Sequence, residues 1–300
     1  ESTCWGIDLG GTKIEIAVIT SLQPLEITCR LRIPTEAEKG YEHILQQIKL
    51  ALDKAEAETG LTAPKLGIGT PGALDPFTGL MKNSNSTALN GQPLHADLEK
   101  LLGIPVAMAN DANCFALAEA RLGIVPDVKP DAQVVFGIIM GTGVGGGIVV
   151  NGQVINGAQG IAGEWGHNFL DESGGKDYAG LDGCVETILA GPSLEKWYEH
   201  LSGTRKRLPE IVQLHEAGAD PHATATMERL IHFFGKAVAP VINLLDPDVI
   251  VIGGGVGNIP YLYDKGVEAI KPHVFNTRFD TLVVRPRLGD SAGVFGAALL

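Results

Sequence analysis

Asp111 follows Asn110 at the end of an apolar run and opens a helical pattern, so its carboxylate sits where side chains leave a strand. A carboxylate in such a position can take the proton of an attacking hydroxyl, a step that contributes roughly 10²–10⁴-fold to a rate. The same position suits a helix cap, and on spacing alone the cap is the stronger reading. Three glycine-rich turns shift that balance: Asp8-Leu9-Gly10-Gly11-Thr12-Lys13, Gly141-Thr142-Gly143-Val144-Gly145-Gly146-Gly147 and Gly253-Gly254-Gly255, each after an apolar run. Without a Cβ in the way, backbone N–H groups in such loops approach an anion closely and cradle phosphate oxygens. One turn of this kind is an ordinary hairpin or bulge. Three of them, with Asn110-Asp111, point to a nucleotide site and to phosphoryl transfer.

Regular elements must hold these groups. Residues 4–7 and 14–20 read as a hairpin-like pair around the first turn, and 26–33 as a third strand. A helical pattern over 41–58 stops at Gly60; residues 66–70 form a short buried strand ending in Pro71-Gly72. Helix, strand and helix follow over 93–102, 105–109 and 112–122. The pattern then restarts: a strand over 133–140, the second glycine turn, and 148–150 pairing back through Asn151-Gly152. Strand, glycine turn, strand therefore occurs twice, as an internal duplication would produce. Helices over 191–200 and 222–245, a strand at 249–252, a helix over 261–270, a strand at 281–285 and a closing helix over 292–300 complete the chain. Two α/β lobes with a crevice between them fit this order, each lending one loop to the phosphates so that closure excludes water. Residues 157–183 are glycine-rich and aperiodic, and a loop of that length is usually functional or mobile.

Composition narrows the classes. With 300 residues there is ample core for one large domain or two lobes, and 45% hydrophobic with 19% charged residues is an ordinary soluble composition. The net charge of −12 argues against nucleic acid, whose backbone calls for a basic surface. Cys4, Cys29, Cys114 and Cys184 show no paired spacing; a reducing cytoplasm is expected, without a disulfide framework. The longest uncharged stretches carry too many glycines and turns for a membrane helix, and no signal peptide is visible.

At this point the residues resemble the ROK family of bacterial sugar kinases and repressors, within the actin/hexokinase/Hsp70 superfamily. The resemblance spans essentially the whole chain. It is carried by Ile7-Asp8-Leu9-Gly10-Gly11-Thr12-Lys13, Gly69-Thr70-Pro71-Gly72, Asn110-Asp111-Ala112-Asn113, the turn at 141–147, Gly163-Glu164-Trp165-Gly166-His167 and Gly183-Cys184-Val185-Glu186. It implies a two-lobed actin-like (ribonuclease H-like) α/β fold with duplicated lobes. One lobe is residues 1–113 plus 291–300, and the other is 114–290. It implies ATP and Mg²⁺ as cofactors, with Asp111 as the base. Asp8 faces Mg²⁺ through water; Gly10, Gly11 and Thr12, then Gly141, Thr142 and Gly143, meet the phosphates; Gly253, Gly254 and Gly255 lie against the nucleoside. Lys13 either adds charge there or is a solvated hairpin residue. Asn85, Asn110, Asp111, Glu164, His167 and Glu186 match sugar-contacting positions, where a carboxylate suits two adjacent hydroxyls.

The stretches 82–93 and 164–168 look most like bacterial fructokinases, whereas 113–117 looks equally like N-acetylglucosamine kinases. The expected reaction is transfer of the γ-phosphoryl group of ATP to the 6-hydroxyl of a hexose, fructose first. The alternative is a kinase for N-acetylglucosamine, glucose or mannose; a sugar-sensing regulator without catalysis is a third class. A DNA-binding repressor of the family would carry a winged helix ahead of the first loop, and only seven residues precede Asp8. Family members are commonly homodimers, and one is expected here. They also carry a structural zinc on a His and three Cys. Here Asp177 and Ala179 stand at two of the thiolate positions and only Cys184 remains. A closed tetrahedral site needs four ligands, so no zinc is expected.

Overall fold

Apolar runs punctuated by glycine become the strands, and the computed structural model describes residues 3–300. β1 (Cys4–Leu9), β2 (Lys13–Leu22) and β3 (Leu25–Pro34) form an antiparallel meander. α1 (Tyr41–Thr59) follows and buries Ile44, Leu45, Ile48, Ala51, Leu52 and Ala55, the spacing of one helical face. β4 (Leu66–Thr70), the small pair β5 (Ala73–Leu74) and β6 (Met81–Lys82), α2 (Leu94–Leu102) and β7 (Val106–Asn110) come next. α3 (Asp111–Arg121) and α4 (Ile124–Val128) precede β8 (Val134–Met140), β9 (Val144–Val150) and β10 (Gln153–Val154). The rest is α5 (Val185–Leu189), α6 (Gly191–Ser202), α7 (Leu208–Glu216), α8 (Pro221–Leu245), β11 (Val249–Gly253), α9 (Lys265–Ile270), β12 (Leu282–Val284) and α10 (Ala292–Ala298).

The chain divides into two α/β units. The first runs to Pro130 and takes back residues 147–162 and 287–300; the second holds 131–146 and 163–286. α3 and α4 thus group with the first unit. Its sheet runs β3-β2-β1-β4-β7, with β1, β4 and β7 mutually parallel. In the second unit β11 lies between β8 and β12, all parallel. Parallel neighbours bring the C-terminal ends of several strands to one edge, and loops that follow such ends carry the ligand sites of open α/β sheets.

Close packing fixes that edge in the first unit. A Cβ at Gly67 would fall 1.7 Å from the Ala297 carbonyl oxygen, and one at Gly296 would fall 1.8 Å from that of Cys114. Glycine at both places lets α10 lie directly on β4 and α3. Glu119 completes the lock from a fully buried position. Its carboxylate accepts from the amides of Ile124 at 2.9 Å, Leu288 at 2.8 Å and Arg287 at 3.1 Å, joining α3 to α4 and to the returning C-terminal segment.

Several elements differ from the sequence reading. The expected helix over 261–270 is a 3-10 turn, Pro260–Tyr263, followed by the shorter α9. α7 goes unforeseen. The aperiodic stretch 157–183 is held by 3-10 turns at Trp165–His167 and Glu172–Gly174 and by bridges pairing Phe169 with Cys184 and Lys176 with Asp182. Asn151-Gly152 does make the hairpin turn, both at positive φ (50° and 74°), and joins β9 to β10. Among the described residues no helix is long and apolar enough to cross a membrane.

Candidate active site

Register assembles the first group of residues. Asp8 on β1 pairs with Gly69 on β4, and Thr70 at the end of β4 pairs with Asn110 at the end of β7. Asp8, the Thr70-Pro71-Gly72 turn and Asn110-Asp111 therefore share one sheet edge. The capping question resolves in favour of Asn110: its Oδ1 accepts from the Asn113 amide at 2.8 Å. Asp111 is released from that duty, and Oδ1 accepts from its neighbour Ala112 at 2.9 Å.

Electrostatics mark the pair of aspartates. Burial pushes the pKa of Asp8 up to about 6, helped by the charges of Asp111 and Glu15 and opposed by Lys13 and Arg32. Asp111 keeps solvent access, yet desolvation by the protein crowding it raises its proton affinity, opposed by the amides of Ala112 and Asp111 itself. Two poorly compensated carboxylates on one edge are a donor set for a hard divalent cation, and Mg²⁺ fits them. Glu15 does not share this character, since Arg30 at 2.6 Å and Arg32 at 3.0 Å neutralise it.

The first glycine turn stands beside them. The Gly10 amide is engaged with the Lys13 carbonyl at 2.9 Å, so within this turn the exposed residues are Gly11, Thr12 and Lys13. Thr35, which sequence reading did not single out, braces the turn: its amide donates to the Thr12 carbonyl at 2.9 Å and its hydroxyl to the Gly10 carbonyl at 2.7 Å. Asn85 is exposed, on a loop whose preceding residue packs over the Pro71-Gly72 turn: a Cβ on Gly72 would fall 2.8 Å from the Ser84 Cα. Asn90 holds that loop through paired 2.9 Å bonds with the backbone of Ser84.

In the second unit Gly253 on β11 pairs with Ile139 on β8, so the turns that follow these two strands adjoin. A Cβ on Gly141 would lie 3.8 Å from the Gly255 amide nitrogen. Gly254 has φ 86°, and a Cβ there would meet the Met140 carbonyl oxygen at 2.2 Å. A cavity of about 750 Å³ opens on these turns, lined among others by Gly141, Thr142, Gly191, Arg207, Gln213 and Gly255. Its volume suits a nucleoside. α7 supplies one of its walls. Glu186 ties this region to α5: its Oε2 accepts from the Val144 amide at 2.9 Å, just past Gly143.

Glu164 precedes the Trp165–His167 turn and His167 ends it; the Trp165 indole donates to the Gly145 carbonyl at 3.1 Å. His167 Nε2 lies 3.4 Å from the Tyr178 hydroxyl and 4.0 Å from a Glu164 carboxylate oxygen. Its Nδ1 lies 2.9 Å from Asp177 Oδ2. The Asp177 side chain has no exposed surface. Oδ1 accepts from the amides of Leu181 at 2.8 Å and Ala179 at 2.9 Å, and Oδ2 also accepts from the Cys184 thiol at 3.5 Å. Burial pushes Asp177 up, but these bonds, His167 foremost, outweigh it and hold the carboxyl below its usual range.

His167, Asp177 and Cys184 are the positions at which the family resemblance sets a zinc, and their ligand atoms lie within 4.8 Å of one another. The residues do not fit a closed structural site. Ala179 offers no fourth ligand, and both Asp177 oxygens are engaged by the four donors above. Burial also raises the pKa of the Cys184 thiol, away from the thiolate that zinc binds.

With this geometry in place the likeness to known proteins becomes informative. The profile of the ROK family matches residues 4–300, and the chain belongs to that family. An N-acetyl-D-glucosamine kinase of Aliivibrio salmonicida is 35% identical over 310 residues, covering 99% of this chain and 98% of the relative. The crystal structure of a ROK hexokinase from Thermus thermophilus superimposes with a TM-score of 0.87 at 33% identity, covering 99% and 97% of the two chains. A ROK glucokinase from Streptomyces griseus, in complex with glucose and AMPPNP, gives 0.75 at 26% identity, covering 99% and 98%. The α/β architecture of the ROK sugar kinases, in the actin-like superfamily, is therefore that of this chain.

Proposed function

We propose that the protein is an ATP-dependent hexosamine kinase that transfers the γ-phosphoryl group to the 6-hydroxyl of N-acetylglucosamine. That it is a sugar-phosphorylating enzyme rests on its family and on relatives named as sugar kinases along its whole length. The acetylated amino sugar takes precedence over fructose because relatives at 34–36% identity over 99% of the chain are named N-acetyl-D-glucosamine kinases. None of these three relatives is named a fructokinase.

The observation that supports the chemistry is the edge shared by Asp8 and Asp111, with Asn110 caring for the helix. Asp111, its proton affinity raised, accepts the proton of the sugar hydroxyl as that oxygen attacks the γ-phosphorus and ADP departs. Gly11 and Thr12, and Thr142 and Gly143, donate to phosphate oxygens. The cavity beside Gly141 and Gly255 takes the nucleoside. Asp8 would hold Mg²⁺ through water, and the ion, when bound, neutralises charge on the phosphates. Glu164, His167, Glu186, Asn85 and Asn110 hold the sugar hydroxyls.

ADP release measured over N-acetylglucosamine, N-acetylmannosamine, glucose, mannose and fructose tests this. The highest kcat/KM is expected for N-acetylglucosamine. Fructose as the best substrate would restore the fructokinase reading, and no turnover on any hexose would remove the kinase altogether.

A further inference from the structure

We infer that Asp177 is a positioning residue that fixes His167 in the tautomer with the proton on Nδ1, so that Nε2 is presented to the sugar as a hydrogen-bond acceptor. This rests on the reading of His167 as a sugar-binding residue. The argument is one of donor and acceptor counting. A carboxylate oxygen only accepts, and Asp177 Oδ2 lies 2.9 Å from Nδ1, so the proton of that bond belongs to the ring. A neutral imidazole protonated at Nδ1 carries a lone pair at Nε2.

The surroundings of Nε2 agree. The Tyr178 hydroxyl, which can donate, lies 3.4 Å from it, while the Glu164 carboxylate stands off at 4.0 Å. Tyr178 also packs edge-on against the imidazole, with centroids 5.3 Å apart at 89°, and keeps the ring from turning over. It is largely exposed, so a sugar hydroxyl can take its place at Nε2.

Asp177 can impose this because it is itself immobilised. Leu181 and Ala179 amides grip Oδ1, the Cys184 thiol shares Oδ2, and no part of the side chain reaches the surface. A metal ion bound to Nδ1 would also orient the ring with Nε2 outward. Here a carboxylate does so by hydrogen bonding, and the proton on Nδ1 is what distinguishes the two arrangements.

The decisive observation uses the wild-type protein: long-range ¹⁵N–¹H correlation of the imidazoles at neutral pH, with His167 assigned through His167→Gln. Protonation at Nδ1 alone is expected. Protonation at Nε2, or at both nitrogens, would overturn the inference, as would stoichiometric zinc in the purified protein. Asp177→Asn presents an amide N–H to Nδ1 and should move the proton to Nε2, converting acceptor to donor. The KM for sugar then rises about 10–100-fold, the scale on which partners that orient a histidine act, while the KM for ATP stays within about twofold. Equal sugar KM in Asp177→Asn and wild type would contradict the assignment. A wild-type protein inactive on every hexose, yet showing the Nδ1–H signature, would defeat the proposed function and leave the tautomer standing.

Discussion

Asp111 and Asp177 invert the usual relation between exposure and acidity. Asp111 is open to solvent yet has its pKa raised; Asp177 has no exposed side-chain surface yet has its pKa lowered. Partners account for the difference. Asp177 has a donor for each of four acceptor positions, whereas Asp111 has backbone amides alone and the charge of Asp8 nearby. A satisfied carboxylate orients its neighbours. An unsatisfied one has room for a proton or a cation. The first unit thus carries the two acids whose pKa is raised, and the second carries one whose pKa is lowered.

The largest expected effect breaks the reactive side. Asp111→Asn removes the acceptor, and kcat falls about 10²–10⁴-fold with the sugar KM within a few-fold, measured by ADP release. Next comes a third carboxylate, Glu119, which belongs with Asp177 in being saturated by donors. Glu119→Ala strands three backbone amides in the core, and urea unfolding should show a loss of about 2–3 kcal/mol. Unchanged stability would mean that saturation by donors does not matter here.

Acidity sharpens the contrast further. Asp8 titrates at about 6 when folded against 3.8 in an unfolded chain, so the folded state binds more protons between those values. Stability from this group is therefore highest at low pH and is lost as pH rises through about 6. Asp8→Asn should flatten that slope and stabilise the protein above pH 6 by about 1–2 kcal/mol in the absence of Mg²⁺. On the proposed mechanism activity moves the opposite way, since Asp111 would have to be ionised to accept a proton. Its acid limb should lie above the 3.8 of an ordinary aspartate. The remaining effect is at a cap: Asp220→Ala at the start of α8 loses the bonds from the His222 and Ala223 amides and from the buried Tyr198 hydroxyl, and thermal unfolding should register about 1–2 kcal/mol.

These two aspartates also mark how far the sequence could be read. The place of Asp111 between a strand and a helix was legible because its signal is local: an apolar run, Asn-Asp, then a helical pattern, which alone spoke for a cap. The glycine turns were legible for the same reason, and with them the strands they follow. Asp177 was legible only as the residue at a thiolate position of the family's zinc set; that it bonds His167, Cys184 and two backbone amides was not, since those bonds come with the folded loop. Glu119 likewise reads as a helix-surface residue, and its partners at Arg287 and Leu288 lie at the far end of the chain. α7 escaped because Leu208–Glu216 is short, and what it does is wall a cavity that exists only in the folded unit. Local chemistry was readable, whereas the partners that tune it arrive by tertiary contact.

The most direct test of the account is single-turnover transfer from ATP to N-acetylglucosamine, at saturating concentrations of both, in wild-type protein and Asp111→Asn. The account predicts sugar phosphate formation slowed at least about 100-fold in the variant, with sugar affinity by titration within a few-fold of wild type. Equal rates of transfer in the two proteins would contradict it.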